Sequence, residues 1–405
     1  MDTDALAALD AADPLAELRG QFELPEGVIY LAGNSLGPPP RSVAARLQRA
    51  IVEEWGGDLV RAWTSRDWIG APARVGGKIA RLIGASPHEV TVADSTSVDL
   101  YKLIVAALAM SNRPDVVVAE DDFPTDLYVA EGAAGGLGRR LKRVRREGLD
   151  DAIDQDTAVV VLTHVNYRTA EVFDMSAVTA RAHAAGALVL WDLSHSTGAV
   201  PVDLNAAGAD LAVGCGYKYL NGGPGAPAYL FVAERWQERL VSPLSGWMGH
   251  AAPFAFAPAY APSPGINRFL CGTPPILSLL ALEAGIDLIL QADVGEAAAK
   301  SRRLGDLMLQ LVAERCPELE PVCPGAGRVR GGHVAFRHHE GYAISRALIA
   351  VGVIGDFRAP DVIRFGLSPL FLSYADIGRA VEILGRLLDT RGWDRPEHRA
   401  HAQVT

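Results

Sequence analysis

A lysine and an aspartate stand at the ends of two apolar runs and could together do carbonyl chemistry. Lys218 follows the run 210–215 and precedes a glycine-rich turn, and Asp192 ends the run 187–192. A lysine amine in a partly desolvated site is a Schiff-base nucleophile toward an aldehyde. A carboxylate can pair with a protonated pyridine nitrogen, so the pair matches what pyridoxal 5′-phosphate (PLP) requires. A lysine alone in a loop is more often an ordinary surface residue. The surrounding residues must therefore show whether Lys218 has a chemical role.

Further residues could hold the other parts of PLP. Thr96 and Ser97 precede an apolar helix, where hydroxyls and backbone N–H groups bind phosphate, although a plain helix cap explains them as well. Phe123 follows the next strand and could stack on the ring, although a lone aromatic residue is often only packing. His195 lies just after Asp192 and could contact the ring or its 3′-oxygen side, with a buried structural histidine as the alternative.

These residues need strands that end at one edge of a sheet. Apolar, β-branched runs without polar alternation predict strands buried on both faces, as in a parallel sheet covered by helices. The carboxyl ends of such strands meet at one edge, where open α/β proteins bind ligands. The predicted strands are 90–93, 115–119, 158–163, 187–191 and 210–215. The predicted helices are 100–110, 176–185 with a serine cap, 276–291, 297–314 and 374–390.

Length and composition fit two globular domains of the α/β class. The chain has 405 residues, of which 49% are hydrophobic and 21% charged, and this suits a well-cored protein too long for one compact core. We expect a large domain at residues 1–290 with a mostly parallel sheet between helices. A smaller α+β domain is expected at 291–405, with strands at 331–336 and 362–366.

Charge and cysteine spacing argue against several classes of partner. The net charge is −10, and the short basic stretch 139–146 is better explained as a solvated strand or helix face than as a nucleic-acid site. The four cysteines lack Cys-x-x-Cys spacing, so we expect neither a metal site nor a disulfide framework. With no apolar run of membrane-helix length and no signal peptide, we expect a cytoplasmic protein without membrane partners.

The longer motifs resemble those of one family, the kynureninases, within the fold-type I, class V PLP enzymes. The resemblance covers nearly the whole chain, and Gly-Thr-Pro-Pro-Ile (272–276) is shared with the wider class. The motifs that carry it are Tyr-Leu-Ala-Gly-Asn-Ser-Leu-Gly-Pro-Pro (30–39), Phe-Pro-Thr-Asp (123–126), His-Val-Asn-Tyr-Arg-Thr (164–169), Trp-Asp-Leu-Ser-His-Ser-Thr-Gly (191–198) and Gly-Tyr-Lys-Tyr-Leu-Asn-Gly-Gly-Pro-Gly (216–225).

The resemblance implies a homodimer that binds PLP and hydrolyses L-kynurenine to anthranilate and L-alanine in tryptophan catabolism. Lys218 would carry the cofactor as a Schiff base and shuttle the α-proton. Tyr217 would contact the phosphate and act as proton donor, and Asp192 would pair with the ring nitrogen. The other cofactor-binding positions implied within the same subunit are Thr96, Ser97, Phe123, Pro124, Thr125, Asp126, Thr163 and His195.

The resemblance also assigns residues to the substrate end and to the second subunit. Trp247 and Thr273 match positions that complete the cofactor site from the other subunit of the dimer. Arg364 matches the arginine that clamps the substrate α-carboxylate, a role that suits a bidentate guanidinium, and Asn34 would line the pocket. The small pair 272–273 favours kynurenine over 3-hydroxykynurenine, which stays an alternative substrate.

A cysteine desulfurase is the nearest alternative function. Desulfurases of this class usually have histidine directly before the lysine, where this chain has Tyr217, and they need a nucleophilic cysteine on a mobile loop. Cys323 could superficially fill that part, although free cysteines are more often inert packing residues. An aminotransferase of the class would give a keto acid instead of alanine. A cofactor-binding regulator built on this fold would normally carry an added DNA-binding domain.

Overall fold

A mostly parallel β-sheet lies at the centre of the larger part of the molecule. The computed structural model describes residues 3–400; residues 1–2 and 401–405, the outer ends of the two predicted domains, lie outside the described part. The strands are β1 (Ile29–Tyr30), β2 (Val90–Ala93), β3 (Asp115–Ala119), β4 (Arg140–Val144), β5 (Thr157–Thr163), β6 (Leu188–Asp192), β7 (Leu211–Gly214), β8 (Ala228–Val232), β9 (Glu320–Pro321), β10 (His333–Arg337), β11 (Val353–Ile354), β12 (Asp356–Arg358) and β13 (Val362–Gly366).

Helices cover both faces of this sheet and form much of the C-terminal part. The α-helices are α1 (Thr3–Ala11), α2 (Arg41–Arg49), α3 (Ala62–Ser65), α4 (Ala71–Leu82), α5 (Thr96–Ala109), α6 (Pro124–Gly136), α7 (Leu149–Ala152), α8 (Met175–Ala185), α9 (Glu234–Gln237), α10 (Ile276–Ile289), α11 (Val294–Arg315), α12 (Gly341–Ala350), α13 (Tyr374–Asp389) and α14 (Pro396–Arg399). Among residues 3–400, none of the helices combines the length and the hydropathy that a membrane span needs.

The strand order of the central sheet is β2-β8-β7-β6-β5-β3-β4. Strands β4, β3, β5, β6 and β7 pair in parallel, whereas β8 runs antiparallel to both of its neighbours, β7 and β2. The predicted mostly parallel sheet is therefore confirmed, although the sequence reasoning does not find the reversed strand β8. Because β2 and β7 both oppose β8, they point the same way. The carboxyl ends of β2, β3, β5, β6 and β7 thus lie at one edge.

Burial on both faces explains why the central strands are apolar throughout. Every residue of β2, β3, β5, β7 and β8 is buried, and two hydrophobic clusters pack on the sheet. A fully buried valine or leucine side chain contributes about 1.5–3 kcal/mol, so this packing fixes the strands and the positions of their ends. The edge strand β4 is the basic stretch, and its residues are exposed or half-buried, as the sequence predicts.

A small antiparallel sheet lies in the C-terminal part, with the order β12-β13-β10-β9. The N-terminal segment packs against this part, because β1 pairs in parallel with β11 and α1 packs on α13. The loop after β1 consequently reaches the small sheet, where Asn34 lies against the backbone of Gly366. The predicted domain limits, 1–290 and 291–405, stay a prediction.

The helices begin and end within a few residues of the predicted limits, and their caps explain the differences. Helix α5 begins at Thr96, because the Ser95 side chain accepts a hydrogen bond from the Val98 N–H. The serine cap predicted for α8 is wrong, since Ser176 already lies inside the helix. Asp174 caps it instead, and its side chain accepts from the Ala177 N–H at 2.9 Å.

Candidate active site

The loops after five strands meet at the carboxyl edge of the central sheet. The residues that follow parallel strands lie at a common edge of the sheet, so residues far apart in the sequence become neighbours. The predicted site residues that lie along this edge are Thr96, Ser97, Phe123, Pro124, Thr125, Asp126, Thr163, Asp192, His195, Tyr217 and Lys218.

Two glycines fix the backbone around Lys218. A Cβ on Gly216 would clash with the carbonyl oxygen of Pro227, so the turn after β7 accepts only glycine there. Gly37, in the N-terminal loop, lies so close to the Lys218 carbonyl that it too has no room for a side chain. Its N–H donates to the Tyr217 carbonyl at 2.8 Å. The lysine backbone is therefore held from both sides, and its half-buried side chain starts from a fixed point.

His195 is the hydrogen-bond partner of the Lys218 side chain. Lys218 Nζ lies 2.9 Å from His195 Nε2. Burial, together with the charges of Lys218 and Arg364, lowers the pKa of His195 well below 6.5. The imidazole is therefore neutral, and its Nε2 accepts the hydrogen bond from Nζ. Its Nδ1 is buried and finds no hydrogen-bond partner within residues 3–400.

Lys218 differs from the two fully buried lysines in its partners. Lys102 Nζ lies 2.6 Å from Asp94 Oδ2, and Lys300 Nζ lies 2.6 Å from Asp13 Oδ2. In the described part of the chain, no carboxylate lies within ion-pair distance of Lys218. An amine that is not tied to a carboxylate can turn toward a carbonyl carbon, which is what Schiff-base chemistry needs.

Three buried carboxyl groups crowd the same edge. The Thr163 N–H donates to Asp122 Oδ2 at 3.2 Å, and Thr163 Oγ1 donates to Asp126 Oδ2 at 3.0 Å. Asp192 Oδ1 accepts from the Ser194 N–H at 2.7 Å. The second oxygens of Asp122 and Asp126 are buried and have no hydrogen-bond partner among the described residues. The cluster therefore has more acceptor oxygens than donors.

The electrostatics of the acidic cluster, Asp122, Asp126 and Asp192, favour the binding of a cation. Burial raises the pKa of Asp122 to about 7. Burial, the charge of Asp192 and the charge of Asp122 together raise the pKa of Asp126 well above its ordinary value. Such shifts mean that further negative charge is unfavourable here, and that a bound cation would be stabilised.

The residues at this edge fit PLP. The three carboxyl groups suit its protonated ring nitrogen, with Asp192 at the strand end as the predicted partner, although the unpaired oxygens are those of Asp122 and Asp126. Thr96 and Ser97 stand half-buried at the start of α5, a helix of 14 residues whose N-terminus suits a phosphate. The ring of Phe123, 40% exposed, has its centroid 5.9 Å from Lys218 Nζ and is available for stacking.

Arg364 and Asn34 lie on a second side of the site, beside the small sheet. The Arg364 side chain is 1% exposed, and its Nη1 donates to the Tyr167 carbonyl. The Tyr167 ring packs edge-on against Phe123 with centroids 5.2 Å apart, which links this side to the cofactor side. Asn34 is fully buried, and neither polar atom of its side chain has a hydrogen-bond partner in residues 3–400. Unpaired buried polar atoms are typical of a ligand-binding surface.

Trp247 and Thr273 lie at the surface of this chain. Both are exposed, and across residues 3–400 no hydrogen bond or ring contact connects either of them to Lys218. They lie close to each other, because the Met248 N–H donates to the Cys271 carbonyl at 3.2 Å. The structure thus places the segments of these two residues next to each other, with both residues exposed.

The structure adds polar residues that the sequence reasoning misses. His333 is fully buried, with its ring centroid 5.7 Å from that of His195. Asp122 could have been found, since the acidic run Glu-Asp-Asp (120–122) directly follows β3. Asp356 and Arg358 alternate along one short strand, but nothing in the sequence signals that they lie next to Arg364.

Comparison with solved structures identifies the fold. A cysteine desulfurase from Escherichia coli has a TM-score of 0.78 at 18% identity, over 93% of this chain and 98% of that chain. A structure of C-DES with glycine covalently linked to its PLP cofactor has a TM-score of 0.82 at 16% identity, over 91% of this chain and 98% of that chain. At such identities the likeness shows the fold alone, and the fold is that of the fold-type I PLP enzymes.

Sequence relatives give the family. The kynureninase of Pseudomonas fluorescens is 50% identical over 408 residues, which cover 98% of this chain and 98% of the relative. A kynureninase of Burkholderia mallei matches with the same identity and coverage. A sequence profile described as the kynureninase C-terminal domain matches residues 297–384. The chain belongs to the kynureninase family, a family of PLP-dependent hydrolases, which confirms the family, fold class and cofactor expected from the sequence.

Proposed function

We propose that this chain hydrolyses L-kynurenine to anthranilate and L-alanine, with PLP attached to Lys218. The observation that carries the proposal is the position of Lys218 Nζ, 2.9 Å from a neutral His195 and flanked by an acidic and a basic side. The acidic side suits the protonated ring nitrogen, and the basic side suits the carboxylate of an amino acid. Membership of the kynureninase family supports the choice of amino acid.

The residues around Lys218 have distinct tasks in this proposal. PLP, when bound, supplies a sink for the electrons released at the α-carbon of an amino acid. Asp192 keeps the ring nitrogen protonated by its negative charge. Lys218 Nζ moves the α-proton, and the neutral His195 orients that amine through the hydrogen bond to Nε2. Arg364 and Asn34 hold the substrate end that carries the α-carboxylate.

Hydrolysis adds one water across the bond between the β-carbon and the γ-carbonyl. The oxygen of water joins the γ-carbon, which leaves as the carboxylate of anthranilate, and the β-carbon takes a proton to become the methyl group of alanine. We assign delivery of that proton to Tyr217. Burial raises the pKa of Tyr217 above its ordinary value of 10, so its hydroxyl carries a proton at neutral pH.

We further propose that the active unit is a homodimer in which Trp247 and Thr273 complete the site of the other subunit. Trp247 is 37% exposed and contacts Phe254, which is exposed as well, and exposed apolar clusters mark contact surfaces. Mixing inactive Lys218→Ala and Trp247→Ala proteins should restore about one quarter of wild-type activity, since half of the exchanged dimers contain one intact site. Full activity of a monomer in sedimentation would contradict this. A cytoplasmic location stays a prediction from the sequence.

A product assay tests the proposed reaction. Purified protein with PLP should release anthranilate and L-alanine in equal amounts from L-kynurenine, measured by fluorescence and amino-acid analysis. The 3-hydroxy compound should be cleaved more slowly, because the small pair Gly272-Thr273, expected at the pocket, offers little to bind the added hydroxyl. Formation of a keto acid in place of alanine would favour an aminotransferase, and steady sulfide release from L-cysteine would favour a desulfurase.

A further inference from the structure

Three charged side chains of strands β12 and β13 share one face of the small sheet. In the antiparallel pair of β12 and β13, Asp356 stands opposite Arg364 and Arg358 stands opposite Val362. Side chains alternate between the faces of a strand, so Asp356 and Arg358 project from the same face. Residues directly opposite on paired strands also share a face, which brings Arg364 to the same place.

Asp356 occupies the fork of Arg364. Arg364 Nε donates to Asp356 Oδ1 at 2.7 Å, and Nη2 donates to Oδ2 at 2.5 Å. The remaining terminal nitrogen, Nη1, donates to the Tyr167 carbonyl. Arg364 is therefore held rigidly, and in this conformation its paired donors face a protein carboxylate and its side chain is shielded from solvent.

Arg358 is the more accessible cation of the group. Its side chain is 31% exposed, compared with 1% for Arg364. Arg358 Nη2 lies 3.2 Å from Asp356 Oδ2 and donates to Ser35 Oγ at 3.1 Å, and the same hydroxyl accepts from Arg364 Nη2 at 3.1 Å. Ser35 directly follows Asn34 in the loop that lines the expected pocket, so Arg358 stands beside that loop.

Asp356, Arg358 and Arg364 together leave one positive charge unmatched. Two arginines face one aspartate, and within residues 3–400 no other carboxylate lies within ion-pair distance of either arginine. The nearby imidazoles do not change this count, because burial and the charge of Arg364 lower the pKa of His333 to about 3, and His195 is neutral as well. A single positive charge fits a ligand with one carboxylate.

We propose that Arg358 is a second arginine of the substrate's carboxylate subsite and selects substrates that carry an α-carboxylate. Asp356 and Ser35 act as positioning residues, since both of them contact the two guanidinium groups and hold them side by side. This inference rests on the proposed function, because it assumes an amino-acid substrate whose reacting carbon is held near Lys218.

Paired ligands with and without the carboxylate test the proposal on the holoenzyme. In Arg358→Gln, kcat/KM for L-kynurenine should fall about tenfold or more, mainly through KM, because a direct contact to the substrate charge is lost. Competitive inhibition by L-alanine should weaken by a similar factor, whereas inhibition by L-alaninamide should change less than twofold. Arg358→Lys, which keeps the charge, should recover part of the loss.

The matched control is Arg337→Gln, because Arg337 of strand β10 lies on the same face but is paired with Asp361 at 3.2 Å and with Glu320 at 3.3 Å. It should leave both inhibition constants unchanged. Equal weakening of alanine and alaninamide in Arg358→Gln, or no weakening of either, would overturn the proposal. A wild-type enzyme that does not cleave L-kynurenine would instead refute the proposed function, so the two failures are distinguishable.

Discussion

Buried aspartates behave in opposite ways on the two sides of the site. At the edge of the central sheet, burial raises the pKa of Asp122 to about 7 and contributes to an even clearer rise for Asp126. On the small sheet burial acts in the same direction, but the charge of Arg364 and its hydrogen bonds outweigh it and lower the pKa of Asp356 to about 2. Within residues 3–400, Asp122, Asp126 and Asp192 form no ion pair, whereas Asp356 pairs with two arginines.

The difference shows how one site can bind a ligand with charges of both signs. A protonated ring nitrogen would relieve the repulsion among the acids, and a carboxylate would match the excess positive charge of the arginines. Lys218 and the neutral His195 lie between, where the covalent chemistry is expected. Substitutions on the two sides should therefore affect different steps.

The largest effect is expected on the acidic side, from Asp192→Asn. This change removes the charge but keeps a side-chain oxygen that can accept from the Ser194 N–H. The ring nitrogen would lose its counter-ion, so kcat for L-kynurenine should fall by roughly 10²–10³, the size of effect seen when one electrostatic contact to a transition state is removed. Cofactor content, measured by absorbance, should change less than twofold. A near-normal kcat would mean that another acid, such as Asp126, holds the ring.

A pH-dependent effect on stability is expected at Asp122. The folded apoprotein keeps a proton on this carboxyl up to about pH 7, whereas the unfolded chain loses it near pH 4. Folding therefore binds a proton in this window, and stability falls as the pH rises from about 4 to 7. Asp122→Asn removes this dependence, and the variant should be more stable than wild type at pH 8, by at most about 4 kcal/mol.

Urea unfolding of both apoproteins at pH 4 and pH 8 measures the difference. At pH 4 the two proteins should be about equally stable, because the carboxyl is then largely protonated in wild type and Asn keeps the oxygen that accepts from Thr163. If the two proteins differed in unfolding free energy by the same amount at both pH values, the raised pKa of Asp122 would be contradicted.

A smaller effect is expected on the basic side, from Arg364→Lys. A single ammonium cannot reproduce the two parallel bonds that Nε and Nη2 make with Asp356. We expect kcat/KM to fall about tenfold, which corresponds to about 1.4 kcal/mol, mainly through KM and without loss of cofactor. Arg364→Ala should lower it further. A fall in cofactor content in place of a rise in KM would remove the distinction between the two sides.

No effect is expected from Cys323→Ser. Burial raises the pKa of the Cys323 thiol, and its half-buried side chain packs against the hydrophobic core. Both features make it a poor nucleophile, in contrast to what a desulfurase requires. Kynurenine turnover should stay within twofold of wild type. If L-cysteine released sulfide and this substitution abolished it, the site would have to be reassigned.

On the acidic side, Asp192 and the neighbouring Lys218 could be predicted from the sequence because they follow strands, whereas Asp126 was found through resemblance and Asp122 was missed. One apolar run ends in Asp192 and another precedes Lys218. Because the carboxyl ends of parallel strands lie at one edge of a sheet, these two residues are predicted to be neighbours. The phosphate position was predictable for the same reason, although the residue that caps α5 is Ser95 and the predicted residues are the first two of the helix. The reversed strand β8 was not predictable this way, because a buried antiparallel strand has the same apolar pattern as a parallel one.

The basic side depends on packing that no local pattern reveals. Arg364 was found through resemblance, but its contacts with Asp356, Arg358 and Ser35 require the register of two short strands and the return of the N-terminal loop. Contacts between residues so far apart in the sequence are determined only by the tertiary structure. The burial of His333 beside His195 is a further example, since an isolated histidine in a strand carries no signal of its neighbour.

Borohydride reduction of the holoenzyme, followed by peptide mass mapping, tests the central claim most directly. We expect Lys218, whose side chain bonds to a neutral histidine, to carry the cofactor, whereas Lys102 and Lys300 are held by aspartates. The reduced adduct should lie on Lys218, and Lys218→Ala should give neither an adduct nor anthranilate. An adduct on Lys102 or Lys300, with Lys218 unmodified, would contradict the account.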